Sequence, residues 1–387
     1  MNINNRRSAT ALAGGLLAVL ACITLGTGWP VGTTRAEAFG GSNVTVVATG
    51  LNNPRGLNFG PDGGLYIAEA GSGGAGPCGP GPEGDRCFGE SGSVTRIDPQ
   101  TGAASRIVSG LPSLSTPDGS FSTGVHDISF QGLGNAYLTT GFGGDPNDRA
   151  IHFGPAGANF ARLARMRSGK FSLVQDLGAY EAANNPTGDE VDSNPYSILA
   201  LADRRVLTDA GANALNQVSA RGVVSTLATF PDRMVPAPPF LELPPGTLIP
   251  MDCVPTTVAQ GPDGAFYVGQ LTGFPFPADD ANIYRVPADG GTPVIHASAF
   301  TAIIDIAFAP DGSMYVLEIA KHGLLAAFIE GDWGGALIHV APNGTRTEIA
   351  AGELTAPGGV VVGHDGAVYV TNNSIFSGTG QVLRIEP

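Results

Sequence analysis

Charge is scarce in this 387-residue chain: charged residues make up 14%, and 20 Lys and Arg stand against 34 Asp and Glu, a formal net charge of -14. So few and so scattered basic residues exclude nucleic acid as a partner, because phosphate binding needs clustered Lys and Arg. The same acidity argues against anionic membrane surfaces. Catalytic signatures are also missing: there is no G-x-S-x-G, no H-E-x-x-H and no phosphate-binding glycine loop,. The four cysteines include no C-x-x-C pair, and no histidine lies at ligand spacing from Cys78 or Cys87, which makes a zinc site a weak reading,. What the chain has instead is apolar and turn-forming residues. A 42% hydrophobic content with 57 Gly and 30 Pro describes a chain that buries a core and turns often,.

A long apolar run occurs at the start. Arg6 and Arg7 precede an uncharged stretch from Ala9 to Trp29, and Ala36-Glu37-Ala38 has the small-x-small form of a cleavage site,. Residues 1–38 therefore read as a signal peptide, with export to the periplasm, the cell envelope or the medium. Two rivals stay open: a retained membrane anchor, weakened by Gly14, Gly15, Gly26, Gly28 and Pro30, and a lipoprotein at Cys22 after an imperfect lipobox,. Export permits disulfides, and CGPGPEGDRC is a turn-rich excursion whose ends, Cys78 and Cys87, are expected to pair,. Cys253 is left over.

Internal repetition defines the architecture. A strand, turn and strand recur as FGPDGGLYIAEA from Phe59, FQGLGNAYLTTG from Phe130, LALADRRVLTDA from Leu199, AQGPDGAFYVGQ from Ala259, FAPDGSMYVLEI from Phe308 and VGHDGAVYVTNN from Val362,. In four copies Asp-Gly sits between β-forming runs, a strong hairpin signal. Asp62, Asp263, Asp311 and Asp365 are read there as turn formers and not as a metal site,. Each unit continues with two further strands, except the sixth, which ends at its third. VTVVATG from Val44 has no unit of its own and supplies the missing strand. The expectation is an all-β, six-bladed β-propeller over residues 42–387, with four-stranded blades and the last blade closed by the N-terminal strand, so that no sheet edge stays open. A monomer is expected.

In such a ring the starts of the first strands and the ends of the second strands share one face, around the mouth of the central channel. The residues placed there are Arg55, Glu69, His126, Asp127, Asn194, Asp209, Asn213, Gln270, Asp305, Glu318 and Asn372, with Thr140 in the equivalent position of the second unit. Carboxylates with amide oxygens form the donor set that Ca2+ or Mg2+ prefers. Set against the metal is the reading in which each acid caps a loop of its own blade. His126 and Asp127 are adjacent on a strand and so are expected to point to opposite faces, which prevents one from orienting the other. The insertions GDPNDR, TGDEVDSNP and PAPPFLELPPG lie on the surface. Asp189, Glu190, Asp192 and Asn194 could hold calcium but lack the glycine and terminal glutamate of an EF-hand loop, and GFPFPADD from Gly273 is read as a partner surface or a lid,.

The segment DSNPYSILALADRRVLTDAGANALNQVSARGVVSTLATFP from Asp192, with PRGLNFGPDGGLYIAEAG from Pro54 and HDISF from His126, resembles the ScyD/ScyE family, exported proteins similar to those encoded with the scytonemin pigment genes of cyanobacteria. Asn194, Pro195, Asp209 and Asn213 match its recurrent elements. The resemblance implies an exported propeller akin to NHL and TolB-type proteins and carries no reaction with it. Gluconolactonase-like hydrolases look similar in fold and hold a divalent ion through Glu, Asn and Asp, for which Glu69, Asn194 and Asp209 are the nearest candidates. Streptogramin lyase-like proteins share the P-D-G-x-x-Y/W repeat but favour Trp where this chain has Tyr66, Tyr267, Tyr315 and Tyr369, and the clustered His-Glu-His residues that they carry are lacking here. Two functions follow as expectations: a binding or scaffold propeller for a small molecule, glycan or protein, or a metal-dependent hydrolase or lyase built on the carboxylates.

Overall fold

The computed structural model describes residues 43–387, and the expected signal segment lies outside them. Six antiparallel sheets follow one another around a ring, each a four-stranded blade, with the short strand Cys78–Gly79 added to the first. Blade 1 comprises Pro54–Phe59, Leu65–Glu69, Arg86–Ile97 and Ala104–Ser115, and blade 2 comprises Val125–Gln131, Asn135–Thr140, Arg162–Arg167 and Lys170–Asp176. Blade 3 is Pro195–Ala200, Arg204–Asp209, Ala214–Ser219 and Val224–Thr229; blade 4 is Pro255–Gln260, Phe266–Gln270, Ala281–Val286 and Val294–Phe300. Blade 5 is Ile303–Phe308, Met314–Glu318, Ala336–Val340 and Arg346–Ile349. Blade 6 is Gly359–Val362, Val368–Asn372 and Gly380–Ile385, and its outer strand is Val44–Leu51, paired antiparallel with Gly380–Ile385. The N-terminal strand thus closes the ring, as its composition predicts. The first strand of each blade packs against the first strand of the next, blade 6 against blade 1 included.

Alternation along the strands supplies the core between blades. In Leu65–Glu69, Leu65 and Ile67 pack on Leu57 and Ala48, while Ala68 turns to the other side, against Val94, Val125 and Ile128 of the next blade interface. Each interface is a small apolar cluster of this kind, burying roughly 1.5–3 kcal/mol per large side chain. The Asp-Gly hairpins lie on the face opposite the mouth. There Asp62, Asp263, Asp311 and Asp365 each accept the amide two residues on, the turn geometry for which Asp is suited,.

Between these repeated parts the chain carries insertions that periodicity does not reveal. Three short helices, α1 (Arg149–Phe153), α2 (Leu177–Asn184) and α3 (Leu324–Glu330), occupy inter-strand loops, and Arg233–Pro236 pairs with Leu248–Met251 as a separate hairpin between blades 3 and 4. Phe274 of the GFPFPADD loop packs on Phe240 of that hairpin insertion. The Cys78–Cys87 disulfide forms, closing the excursion between the second and third strands of blade 1. Cys253 is a buried free thiol whose burial pushes its ionisation up, so it is held as an unreactive thiol,.

Candidate functional site

The first and second strands meet at the mouth in a repeated register: Pro54 opposite Glu69, Val125 opposite Thr140, Pro195 opposite Asp209, Pro255 opposite Gln270, Ile303 opposite Glu318. Immediately after each of these pairs the register slips. A slip of this kind breaks the strict alternation of side chains. In blade 2 it falls at His126, and His126 and Asp127 consequently line the same cavity, contrary to the opposite faces expected from an ideal strand. They are not bonded to each other: His126 Nδ1 lies 3.2 Å from the Pro195 carbonyl, and the Asp127 carboxylate turns to blade 3.

The structure divides the mouth residues into two groups. Asp127 and Asp305, from blades across the ring from each other, line one small cavity together with His126, Tyr196, Ser197 and Thr256. Asp127 Oδ2 accepts from the Ile198 amide at 2.8 Å and Ser197 Oγ at 3.0 Å, and Oδ1 accepts from the Ile128 amide at 2.7 Å. Asp305 does the same between blades 4 and 6: Oδ1 accepts from Thr257 Oγ1 at 2.7 Å and the Ile306 amide at 2.9 Å, and Oδ2 from the Val360 amide at 2.7 Å. Each acid therefore clasps its blade to a neighbour. A Cβ at Gly56 would collide with the Asp127 carboxylate, so glycine in blade 1 is what lets that clasp close,. Burial raises the Asp127 pKa to about 7, with the Asp305 charge adding to it, and burial raises Asp305 to about 6,.

Glu69, Asp209, Glu318 and Asn372 form the second group and do not enter that cavity. Each accepts a hydrogen bond from a backbone amide in the segment leading into its own blade: Asn52 N to Glu69 at 2.8 Å, Asn194 N to Asp209 at 2.6 Å, Thr301 N to Glu318 at 2.8 Å and Thr355 N to Asn372 at 2.7 Å. Gln270 accepts from the Asn282 amide and side chain, and Thr140 donates to the Asn159 carbonyl. The remaining lone pairs of Glu69 go to Ser93, Thr95 and Arg106, and those of Asp209 to Ser193 and the Ala212 amide. Asn194 accepts from the Phe142 amide, and Asn213 accepts from the Val254 amide while donating to Asp252. Burial lifts Asp209 to about 6 and Glu318 to about 7.

Glu69, Asn194 and Asp209 thus have separate partners in blades 1 and 3, and they do not fit a divalent ion as a shared donor set. Among the described residues no group of three His, Cys, Asp or Glu side chains is placed to hold a metal. The cavity itself encloses about 10 Å3, room for one water-sized body,. A larger depression of about 320 Å3 lies on the rim between Pro146 and Ala183, but its guanidinium, Arg149, is already spent on Pro146, Phe160 and Asp176.

Beside the cavity lie Arg55 and His126, which the sequence places at the mouth, and Arg86, Tyr196 and an aromatic cluster, which it does not. Arg55 is buried; its Nη2 donates to the Ser122 carbonyl at 2.7 Å, its guanidinium reaches Tyr196, and its Nε has no partner. Arg86, at the end of the disulfide-closed excursion, is 1% exposed and donates to the carbonyls of Phe142, Gly143 and Pro80, again with Nε unpartnered. Burial, with the Arg55 charge behind it, lowers the His126 pKa to about 3, so the imidazole is neutral, and its ring lies 4.6 Å from that of Tyr196. Phe121, Phe328, Trp333 and Phe376, from three separate loops, form a half-buried aromatic cluster continuous with the apolar surface on which Tyr196 packs. Only the Asn-Pro-Tyr element pointed to Tyr196; Arg86 and the aromatic cluster sit in loops of unequal length with no repeat to mark them.

The fold and this mouth define a six-bladed β-propeller. Solved structures similar to this chain include a gluconolactonase of Xanthomonas campestris (8% identity, TM-score 0.52, covering 89% of each chain), an auxiliary nutrient binding protein of Bacteroides thetaiotaomicron (12% identity, TM-score 0.54, 87% of this chain and 69% of that one) and virginiamycin B lyase of Staphylococcus aureus (12% identity, TM-score 0.46, 87% and 96%). At such identities the likeness is one of fold. No family model matches the chain, and no curated protein does.

Proposed function

We propose that this chain is an exported binding propeller that engages a small molecule, glycan or protein through its channel mouth and the loops around it. The observation that carries the reading is the commitment of the mouth acids. Asp127, Asp305, Glu69, Asp209 and Glu318 all accept backbone amides that hold blades or loops in place. A carboxylate so engaged has fewer lone pairs left for a substrate proton or a metal ion. The mouth instead offers half-buried aromatic side chains and buried donors, the composition of a binding surface. The disulfide supports an oxidising compartment,. Among the described residues no helix is long and apolar enough to cross a membrane. Membership of the ScyD/ScyE family belongs to the same proposal and rests on the segment from Asp192.

The test is a ligand screen by thermal shift on the chain from residue 39, with hits repeated on a mouth variant, Phe121→Ser with Trp333→Ser, and on an opposite-face variant, Tyr66→Phe with Tyr369→Phe. Hits lost only in the mouth variant are expected. Hits lost only in the opposite-face variant contradict the reading. Turnover of lactones or esters that disappears in a Glu69→Ala, Asp209→Ala pair would replace it with the hydrolase.

A further inference from the structure

We propose that the mouth binds an apolar monocarboxylate, its carboxylate received by Arg55 and its body by the surrounding aromatic side chains. The inference deepens the binding reading above and rests on it.

Arg55 and Arg86 are buried guanidiniums with no carboxylate at ion-pair distance among the described residues, in contrast to Arg96, Arg106, Arg149, Arg162, Arg233, Arg285 and Arg384, which all have one. An unpaired buried cation is costly unless dipoles or an anion compensate it. Arg86 is compensated: three carbonyls and the Thr123 hydroxyl surround it, and it thereby fastens the disulfide-closed excursion to the Phe142–Gly143 turn. Arg55 has one carbonyl at hydrogen-bond distance, that of Ser122, with Tyr196 beside it, and an Nε with no partner. Its neighbour His126 is neutral and adds no second charge.

The acids nearest Arg55 do not satisfy it. Asp127 and Asp305 are turned to blades 3, 4 and 6 by the bonds that clasp the ring. Glu83 of the excursion faces both Arg55 and Arg86 without reaching ion-pair distance of either, and burial raises its pKa. The guanidinium is thus left without an anionic partner, and it is planar and able to meet a carboxylate with two parallel N–H donors. The channel cavity lined by the adjacent Gly56 and by His126 and Tyr196 holds about 10 Å3 and cannot take the body of a ligand. The body must stay at the mouth, where Phe121 immediately precedes Ser122, whose carbonyl accepts from Arg55, and where Phe121 packs with Phe328 and Trp333. An apolar body with a single carboxylate matches both halves, whereas a polyanion meets the acidic surface of a chain with net charge -14,.

Isothermal titration with benzoate and with its neutral isostere benzamide tests this on the chain from residue 39. Benzoate is expected to bind at least tenfold more tightly than benzamide. Arg55→Gln is expected to abolish that difference and Arg55→Lys to keep part of it, while Glu83→Gln strengthens benzoate severalfold by removing the competing carboxyl. Should Arg55→Gln fail to fold, the Glu83→Gln effect and the benzoate-to-benzamide ratio carry the test. Equal binding of the two probes, or benzoate binding indifferent to both Arg55 variants, overturns the carboxylate class and leaves the mouth as a binding surface. If neither probe binds while the thermal-shift screen finds mouth ligands of other chemistry, the class also falls; if neither probe binds and the screen maps to the opposite face, both readings fall together.

Discussion

Two faces of this ring use aspartate in opposite ways. On the outer hairpin face Asp62, Asp263 and Asp365 each sit beside a Tyr four residues on and an Arg from the third strand, as Asp62 with Tyr66 and Arg96, Asp263 with Tyr267 and Arg285, Asp365 with Tyr369 and Arg384. Hydrogen bonds from the arginine and the turn amide hold these carboxyls below their ordinary pKa. At the mouth, Asp127 and Asp305 have backbone amides and hydroxyls, no arginine, and pKa values lifted by burial to about 7 and about 6. The contrast teaches that a carboxylate count says nothing about chemistry until the donors are known. Exposed acids here finish turns, and buried acids hold blades together.

That comparison breaks most sharply by truncating a clasp. Asp127→Ala leaves the Ile198 amide and the Ser197 hydroxyl unsatisfied between blades, and at ~1–3 kcal/mol per stranded group the loss of stability is expected at about 3–5 kcal/mol, read by urea unfolding,. Next in size is a pH effect centred on Glu181 of α2, which is 1% exposed with both oxygens unpartnered and whose pKa is pushed up to about 8 by burial, with the Asp209 and Asp192 charges adding. In the fold this group keeps a proton that the unfolded chain has already released above about pH 4.5. Its contribution to stability is therefore complete near pH 4 and is lost as pH rises to about 8. Glu181→Gln is expected to flatten that slope and to stabilise the protein at pH 8 by about 1–3 kcal/mol. Asp127 and Asp305 add to the same slope between about pH 4 and pH 7,. The lowered acids of the hairpin face act in the other direction, losing their stabilisation only as pH falls through their folded values. Asp62→Asn, on the exposed face, is the smallest effect, below about 1 kcal/mol at neutral pH,. A larger loss there than at Asp127 would invert the comparison.

The fold was legible because its signal repeats. A strand-turn-strand unit repeated six times, four of its turns Asp-Gly, together with an unpaired VTVVATG strand states one geometry, and the pairing of Val44–Leu51 with Gly380–Ile385 follows from it,. The positions of the mouth residues were legible for the same reason, since Glu69, Asp209, Gln270, Glu318 and Asn372 occupy equivalent ends of second strands. Their partners were not. Whether Asp209 meets an ion or the Asn194 amide depends on the conformation of the segment entering the blade, which no repeat governs. The slip at His126 reversed an expectation drawn from ideal alternation, and α2 with its buried Glu181 lies in an insertion found in one blade alone.

The central claim is that the mouth acids are structural clasps and caps. It is tested most directly by calorimetric titration of Ca2+ and Mg2+ into the metal-stripped chain from residue 39, with thermal stability followed in parallel for the wild type and the Glu69→Ala, Asp209→Ala pair. The account predicts no stoichiometric binding at millimolar metal and an unfolding temperature that the pair lowers equally with and without the ion. A single tight site that raises the unfolding temperature of the wild type and vanishes in the pair would contradict it.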